Sequence, residues 1–230
     1  MRVRIKICGI TTKEDALAAS EMGVDALGFI FYPQSPRFIE ATRVEKIIGI
    51  LPPFVTPVGV FVDEEESQIR MILRKCHLRV LQFHGNESPA FCESFREKVI
   101  KAIRLAGTRK KNKAPLSRML QDYTVDTFLL DTYSEKSAGG TGQAFNWDIA
   151  VDIQETLRKI RSCGRIVLSG GLTPENVGPA ILKVRPYAVD VSSGVESAPG
   201  KKDHRKMRDF IRAVRSLDIG EPPEKTRKNR

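Results

Sequence analysis

A thiol and a carboxyl group stand out in this sequence as candidates for proton transfer. Cys8 ends the alternating run 3–8 and is followed by a glycine, and Asp131 ends the apolar run 126–131. Both residues therefore close predicted β-strands, and in βα folds the carboxyl ends of the strands carry the chemistry. A carboxyl group with a raised pKa can donate a proton, and a thiolate can accept one. The alternative for Cys8 alone is a buried structural cysteine.

The thiol needs assistance to act as a base near neutral pH. A free cysteine has a pKa of about 8.5, and nearby positive charge or a helix N-terminus lowers it. Lys6 lies on the same face of the predicted strand as Cys8, and a predicted helix begins just after the strand. We expect these two features to lower the pKa of Cys8. Covalent catalysis by Cys8 is the alternative, but it normally requires a histidine base, for which His84 is the only candidate.

Polar residues occupy the ends of most predicted strands. The inward-facing positions earlier in the same strands are mostly apolar, and a polar ring at one end of an apolar barrel is typical of an active-site mouth. Any one of these residues alone could instead bond to nearby backbone. The ring comprises Cys8, Gln82, His84, Asp131, Ser169, Asp190 and Ser192.

Glycine-rich turns after the last three predicted strands indicate a phosphate site. Glycine lets backbone N–H groups approach an anion, and a helix N-terminus adds partial positive charge. Barrels often bind phosphate after their seventh and eighth strands. The Gly-Gly-Thr-Gly segment alone fits neither the dinucleotide-binding fingerprint nor a P-loop. The predicted phosphate-binding residues are Gly140, Gly142, Gly170, Gly171, Ser192, Ser193 and Gly194.

Eight strands must position these groups, and they alternate with helices over residues 1–217. Alternating βα units imply a parallel sheet, and a count of eight predicts a closed (β/α)8 TIM barrel in one domain. The 230 residues, 41% of them hydrophobic, suffice for one sizeable core. Residues 218–230 are predicted to form a basic, disordered tail. The predicted strands lie within 3–8, 26–31, 58–62, 78–84, 99–104, 126–131, 165–169 and 187–192.

Composition and charge bear on three possible features of the protein, namely nucleic-acid binding, a membrane span and a metal site. The net charge of +10 raises the alternative of nucleic-acid binding, but the basic clusters 109–113, 201–202 and 225–230 are scattered and lack interleaved aromatics. We therefore predict solvated basic surface, which would also attract an anionic substrate. No apolar run is long enough for a membrane span, and the N-terminus lacks a signal-peptide core. Four widely spaced cysteines favour reduced thiols in the cytoplasm over a metal site.

The ordered motifs resemble the phosphoribosylanthranilate isomerase family of tryptophan biosynthesis, from about residue 2 to about residue 217. That resemblance implies a cofactor-free Amadori rearrangement of N-(5-phosphoribosyl)anthranilate to 1-(2-carboxyphenylamino)-1-deoxyribulose 5-phosphate. The motifs are 6–11 (Lys-Ile-Cys-Gly-Ile-Thr), 28–31 (Gly-Phe-Ile-Phe), 35–37 (Ser-Pro-Arg), 82–87 (Gln-Phe-His-Gly-Asn-Glu), 130–131 (Leu-Asp), 139–142 (Gly-Gly-Thr-Gly), 169–177 (Ser-Gly-Gly-Leu-Thr-Pro-Glu-Asn-Val) and 190–196 (Asp-Val-Ser-Ser-Gly-Val-Glu).

The resemblance also implies roles for individual residues. Asp131 would be the general acid that protonates the furanose ring oxygen, and Cys8 the general base that removes the C2′ proton. Arg37 would bind the anthranilate carboxylate and Asp190 a ribose hydroxyl. Gln82 and His84 would complete the substrate site. The expected partner is a small phosphorylated substrate, with neither nucleic acid nor membrane, and the expected state is a cytoplasmic monomer or homodimer.

Two alternatives remain at this point. The barrel isomerase of histidine biosynthesis performs the same rearrangement on an aminoimidazole, but that family uses a carboxylate where this chain has Cys8. A non-catalytic, basic, nucleic-acid-binding barrel would explain the net charge but not the complete acid–base pair. The chain also departs from the family pattern at Ser169, usually Ala, where a hydroxyl is expected near the phosphate, and at Phe83, usually Leu.

Overall fold

The computed structural model describes residues 2–105, 119–131, 147–160 and 164–217. Its centre is a closed barrel of eight parallel strands in sequential order, with the first strand paired to the last. The predicted (β/α)8 barrel is confirmed. The strands are β1 Arg4–Cys8, β2 Ala26–Ile30, β3 Thr56–Phe61, β4 Val80–Phe83, β5 Lys98–Arg104, β6 Thr127–Asp131, β7 Arg165–Ser169 and β8 Ala188–Val191.

Helices follow the strands, and three of the described helices begin at residues whose side chains cap the first turn. Thr12 and Ser88 each accept a backbone N–H three residues ahead, and Asp203 accepts the N–H groups of Arg205 and Lys206. Such caps satisfy backbone donors that the first helical turn leaves unpaired. The helices are Lys13–Glu21, Ala41–Ile48, Glu66–Cys76, Pro89–Glu93, Asp148–Ile160, Val177–Val184 and His204–Arg215, and residues 119–122 are also helical.

Alternation along each strand separates the outer core from the barrel interior. In β1, Ile5 and Ile7 are fully buried in the large cluster that the strands form with the helices. The intervening Lys6 and Cys8 face inward, as the alternating pattern predicts. A smaller apolar cluster, which includes Leu129 of β6, fills the interior. The polar side chains at the strand ends therefore lie above an interior that is packed with apolar side chains.

A short segment after β8 differs from the prediction. The last helix begins at His204, because Glu196–Ala198 and Lys201–Lys202 pair as an antiparallel ribbon before it. The prediction of solvated surface at 201–202 is wrong for Lys202, whose side chain is 0% exposed. The ribbon turns Lys202 inward, where its ammonium group meets Glu196. The basic cluster 109–113, the segment 139–142 and the predicted tail 218–230 lie outside the described residues.

The opposite end of the barrel holds a cavity of about 820 Å3, lined by the first residues of the strands. None of the predicted site residues lines it. Arg4 and Arg165 stack on the ring of Tyr187 at this end, 4.3 and 5.3 Å from the ring centroid. This end is where barrel residues serve stability. In the part of the chain that the structure describes, no helix is long and apolar enough to cross a membrane.

Candidate active site

The side chains of Cys8 and Lys6 converge above a glycine of the neighbouring strand. A Cβ atom placed on Gly28 would lie 2.7 Å from Cys8 Sγ and 3.1 Å from Lys6 Nζ. Any larger residue at position 28 would displace the thiol or the ammonium group. Cys8 is buried, with 5% of its surface exposed. The glycine therefore provides the space in which these two groups meet.

The net effect of the surroundings on the Cys8 thiol is opposite to the prediction. Burial raises the pKa of Cys8, because the thiolate loses its hydration, and the Asp190 carboxylate raises it further. Lys6 and Lys202 act in the lowering direction, but they do not outweigh burial. The predicted effect of Lys6 therefore has the correct sign, whereas the predicted net lowering of the Cys8 pKa is wrong. Part of the reason is that Lys6 Nζ donates to Asp190 Oδ1 at 2.8 Å.

A series of strand pairings and hydrogen bonds runs from Asp131 to the neighbourhood of Cys8 around the mouth of the barrel. Asp131 at the end of β6 is the in-register neighbour of Ser169 at the end of β7. Ser169 Oγ donates to Asp190 Oδ2 at 3.2 Å, and the other oxygen of Asp190 accepts from Lys6. Lys6 and Cys8 then share the space above the glycine of β2. The predicted acid and the predicted base therefore belong to the same mouth.

Gln82 and His84 contact the candidate acid. Gln82 Nε2 lies 2.9 Å from His84 Nδ1, and His84 Nε2 lies 3.1 Å from Asp131 Oδ2. With the Gln82 amide in this orientation, its nitrogen donates to Nδ1, and the neutral ring then carries its proton on Nε2. The imidazole N–H then donates to Asp131. The two residues predicted to bind substrate thus form a chain that orients the candidate acid.

A buried ion pair supports the loop that carries His84. Lys101 Nζ donates to Glu87 Oε2 at 2.7 Å and to the carbonyl oxygen of Gly85 at 2.8 Å. Glu87 also accepts the backbone N–H groups of Asp63 and Gly85. The side chains of Lys101 and Glu87 are 4% and 3% exposed. Sequence reasoning missed this support, although a single lysine within the apolar run 99–103 was a signal for it.

The two glycine turns after β7 and β8 press against each other. Gly170 and Gly171 have φ values of 86° and 64°, a region that L-residues with side chains rarely adopt. A side chain at position 194 would collide with the backbone carbonyl of Leu172, so Gly194 allows the turn Ser193–Val195 to pack there. The helix Val177–Val184 begins beside these turns. The arrangement fits the predicted phosphate site, of which Gly140 and Gly142 lie outside the described residues.

Gly9 lies close both to the turn after β8 and to Arg37, the predicted carboxylate-binding residue. A Cβ atom on Gly9 would lie 3.1 Å from Ser192 Oγ and 2.6 Å from Arg37 Cδ. Arg37 and Ser192 can therefore both approach the backbone next to Cys8. The Ser169 hydroxyl, for which a place near the phosphate was predicted, donates to Asp190 Oδ2.

Sequence reasoning also missed the partner of Arg37. Its guanidinium group donates twice to Glu196, and the same carboxylate accepts from the buried Lys202. The signal was a glutamate at the end of the 190–196 motif, to which no role was given. Among the described residues, no group of three or more His, Cys, Asp and Glu side chains is arranged to hold a metal ion.

Comparison with known proteins agrees with this geometry. Residues 5–213 match the family model described as N-(5'phosphoribosyl)anthranilate (PRA) isomerase. The N-(5'-phosphoribosyl)anthranilate isomerase of Trichlorobacter lovleyi is 49% identical over 211 residues, which cover 91% of this chain and 97% of that protein.

Solved structures give the same result. The crystal structure of phosphoribosyl anthranilate isomerase from Thermotoga maritima superposes with a TM-score of 0.81 at 43% identity, covering 94% of this chain and all of that one (100%). A structure of phosphoribosyl anthranilate isomerase in complex with reduced 1-(o-carboxyphenylamino)-1-deoxyribulose 5-phosphate superposes with a TM-score of 0.78 at 40% identity, with coverage of 94% and 100%. The chain belongs to the N-(5'-phosphoribosyl)anthranilate isomerase family.

Proposed function

We propose that this chain catalyses the Amadori rearrangement of N-(5-phosphoribosyl)anthranilate to 1-(2-carboxyphenylamino)-1-deoxyribulose 5-phosphate in tryptophan biosynthesis. The observation that carries the proposal is the series of strand pairings and hydrogen bonds that runs from Asp131 through Ser169, Asp190 and Lys6 to Cys8. It supports the proposal because the candidate acid and the candidate base then lie around one mouth, beside two glycine turns suited to a phosphate. The related enzyme solved with a reduced form of this product supports the same substrate class.

Asp131 is the proposed general acid of the first step. Its proton moves to the furanose ring oxygen, the ring C–O bond breaks, and the nitrogen lone pair forms a C=N bond, which gives an open-chain Schiff base. Asp131 becomes a carboxylate in this step. The Nε2–H of His84, oriented by Gln82, would donate to Asp131 Oδ2 and so stabilise the carboxylate that forms. A donor aimed at a developing negative charge stabilises it without further reorganisation.

Cys8 is the proposed general base of the second step. Its thiolate takes the proton from C2′, and the C–H electrons form a C=C bond while the C=N electrons return to nitrogen. The resulting enolamine tautomerises to the ketone product. Burial disfavours the thiolate in the free protein, and the positive charge of a protonated Schiff base favours it. The thiolate form of Cys8 is therefore more populated once the acid step has created that charge.

Arg37 and the glycine turns are proposed to hold the two ends of the substrate. Arg37 lies beside the backbone of Gly9, next to Cys8, where its guanidinium group can bind the anthranilate carboxylate. The turns 170–171 and 192–194 would surround the phosphate with backbone N–H groups. Binding both ends fixes the sugar carbons between the acid and the base, which lowers the entropic cost of reaching the transition state.

A fluorescence assay tests the proposal. Freshly condensed phosphoribosylanthranilate should lose its anthranilate-type fluorescence when the protein is added, and a tryptophan auxotroph lacking this step should grow when it carries the gene. Turnover of the histidine-pathway aminoimidazole substrate instead would favour that alternative. Binding of DNA tighter than about micromolar at physiological salt, without any turnover, would support a nucleic-acid-binding barrel.

The proposal extends to the state of the protein in the cell. We infer a cytoplasmic enzyme, because Cys8, Cys76 and Cys92 are buried free thiols, which persist in a reducing compartment. The proposed state is a monomer or a homodimer, and multi-angle light scattering distinguishes the two by mass.

A further inference from the structure

Arg37 is bound on one edge by a buried carboxylate. Its Nε donates to Glu196 Oε1 at 2.8 Å and its Nη2 to Glu196 Oε2 at 2.7 Å. The side chain of Glu196 is 5% exposed, whereas that of Arg37 is 21% exposed. The bidentate geometry fixes the plane of the guanidinium group as well as its position.

This arrangement leaves the other edge of the guanidinium group available. Arginine has five N–H donors in a rigid fork, and the contact with Glu196 uses one on Nε and one on Nη2. The outer edge, formed by Nη1 and the second Nη2 hydrogen, is itself a fork that matches a carboxylate. Glu196 therefore determines which edge of Arg37 a ligand can meet.

Lys202 allows Glu196 to remain charged in this position. Burial alone would raise the pKa of Glu196, but the hydrogen bonds from Arg37 and Lys202 outweigh it and hold that pKa below the usual value. Lys202 Nζ donates to Glu196 Oε1 at 2.8 Å and to the carbonyl oxygen of Ser192 at 3.2 Å. One carboxylate thus connects the candidate carboxylate-binding arginine to the turn after β8.

We propose that Glu196 is a positioning residue for substrate specificity, which aims the free edge of Arg37 at the aryl carboxylate of the substrate. The proposal rests on the function proposed above, because it assumes that Arg37 binds that carboxylate. Glu196 itself need not touch the substrate. A residue that acts only through Arg37 affects substrates that carry the carboxylate and not those that lack it.

Two substrates and two substitutions test this role. Phosphoribosylanthranilate and its aniline analogue, both made by condensing the amine with ribose 5-phosphate, differ only in the carboxylate. Glu196→Gln keeps the shape of the side chain but presents an amide N–H2 or a neutral oxygen to Arg37. We expect KM for phosphoribosylanthranilate to rise about 10- to 100-fold with kcat within about threefold of the parent, the size of one lost charged hydrogen bond. Kinetic constants for the aniline analogue should change less than about threefold.

The double variant separates positioning from general damage. In an Arg37→Ala background, Glu196→Gln should add no further rise in KM, because the group that it orients is gone. If Glu196→Gln does not fold, Glu196→Asp keeps the charge and withdraws the carboxylate by one methylene, and a smaller rise in KM for the anthranilate substrate alone is expected. Equal losses with both substrates, or additive losses in the double variant, would overturn the proposal. A parent protein without phosphoribosylanthranilate turnover would instead overturn the proposed function.

Discussion

The substitution Lys101→Met removes the charge that neutralises a buried glutamate beneath the active-site loop. Methionine keeps the apolar stem of the lysine but cannot donate to Glu87 or to the Gly85 carbonyl. Glu87 would keep the two backbone N–H donors from Asp63 and Gly85 and lose its only described cation. The substitution therefore leaves a carboxylate that is 3% exposed without a counter-ion.

The expected change in the free energy of unfolding follows from the burial of the Glu87 carboxylate. Removing one partner of a buried ion pair typically costs about 3–5 kcal/mol, because the remaining charge stays desolvated. A protein domain is stabilised by only about 5–15 kcal/mol in total. Lys101→Met should therefore lower the free energy of unfolding by about 3–5 kcal/mol, a large fraction of the stability of the barrel.

Urea unfolding followed by circular dichroism measures this change directly. The matched control is Lys183→Met, which removes the lysine of an ion pair with Asp148 whose side chains are 44% and 55% exposed. Exposed pairs contribute about 0–1 kcal/mol, so the control should stay close to the parent. A loss below about 1 kcal/mol for Lys101→Met, or equal losses for the two variants, would refute the reasoning from burial.

Further predictions concern the site and its thiols. Arg37→Ala should raise KM for phosphoribosylanthranilate with little change in kcat, and an equal fall in kcat and kcat/KM would show that Arg37 acts only in the transition state. Lys6→Met should raise the pKa of Cys8 further in a thiol titration, and an unchanged titration would remove Lys6 from the account. Burial raises the pKa of Cys76 and Cys92 to about 11, so the unfolded chain loses these thiol protons first as pH rises. The free energy of unfolding should fall between about pH 9 and 11 by up to about 3 kcal/mol per thiol, and Cys76→Ala should flatten that slope.

The barrel and the placement of its reactive ends could be predicted because they depend on local patterns. The alternation in β1 shows which side chains face inward, and the end of each strand shows where the polar residues lie. The positions of Cys8 and Asp131, which face inward at the carboxyl ends of their strands, follow from these two rules alone. The closed barrel then brings the two residues to one mouth, since parallel strands have all their carboxyl ends on the same side.

The partners of the polar groups could not be predicted in the same way. Lys6 bonds to Asp190, 184 residues away, and Arg37 bonds to Glu196, 159 residues away. Periodicity gives the face of each side chain but not which side chain lies opposite it. The burial of Lys202 also depends on a two-residue strand, which is too short to show an alternating pattern in the sequence.

The prediction of a lowered Cys8 pKa was wrong for a related reason. The sequence shows a lysine two positions away but not how deeply the thiol is buried, nor that Asp190 shares the charge of that lysine. Burial and the competing carboxylate are properties of the assembled barrel. Electrostatic effects at this mouth therefore had to be determined from the three-dimensional arrangement.

Single-turnover kinetics of Cys8→Ala and Asp131→Asn with phosphoribosylanthranilate test the central claim most directly. The control is Cys76→Ala, which removes a buried thiol whose sulfur contacts the carbonyl oxygen of Ala41, away from the mouth. General acid–base catalysis predicts a fall of about 100- to 10,000-fold in the rate for each of the first two variants and a near-parental rate for the control. Near-parental turnover in a folded Cys8→Ala or Asp131→Asn variant would contradict the assignment of that residue.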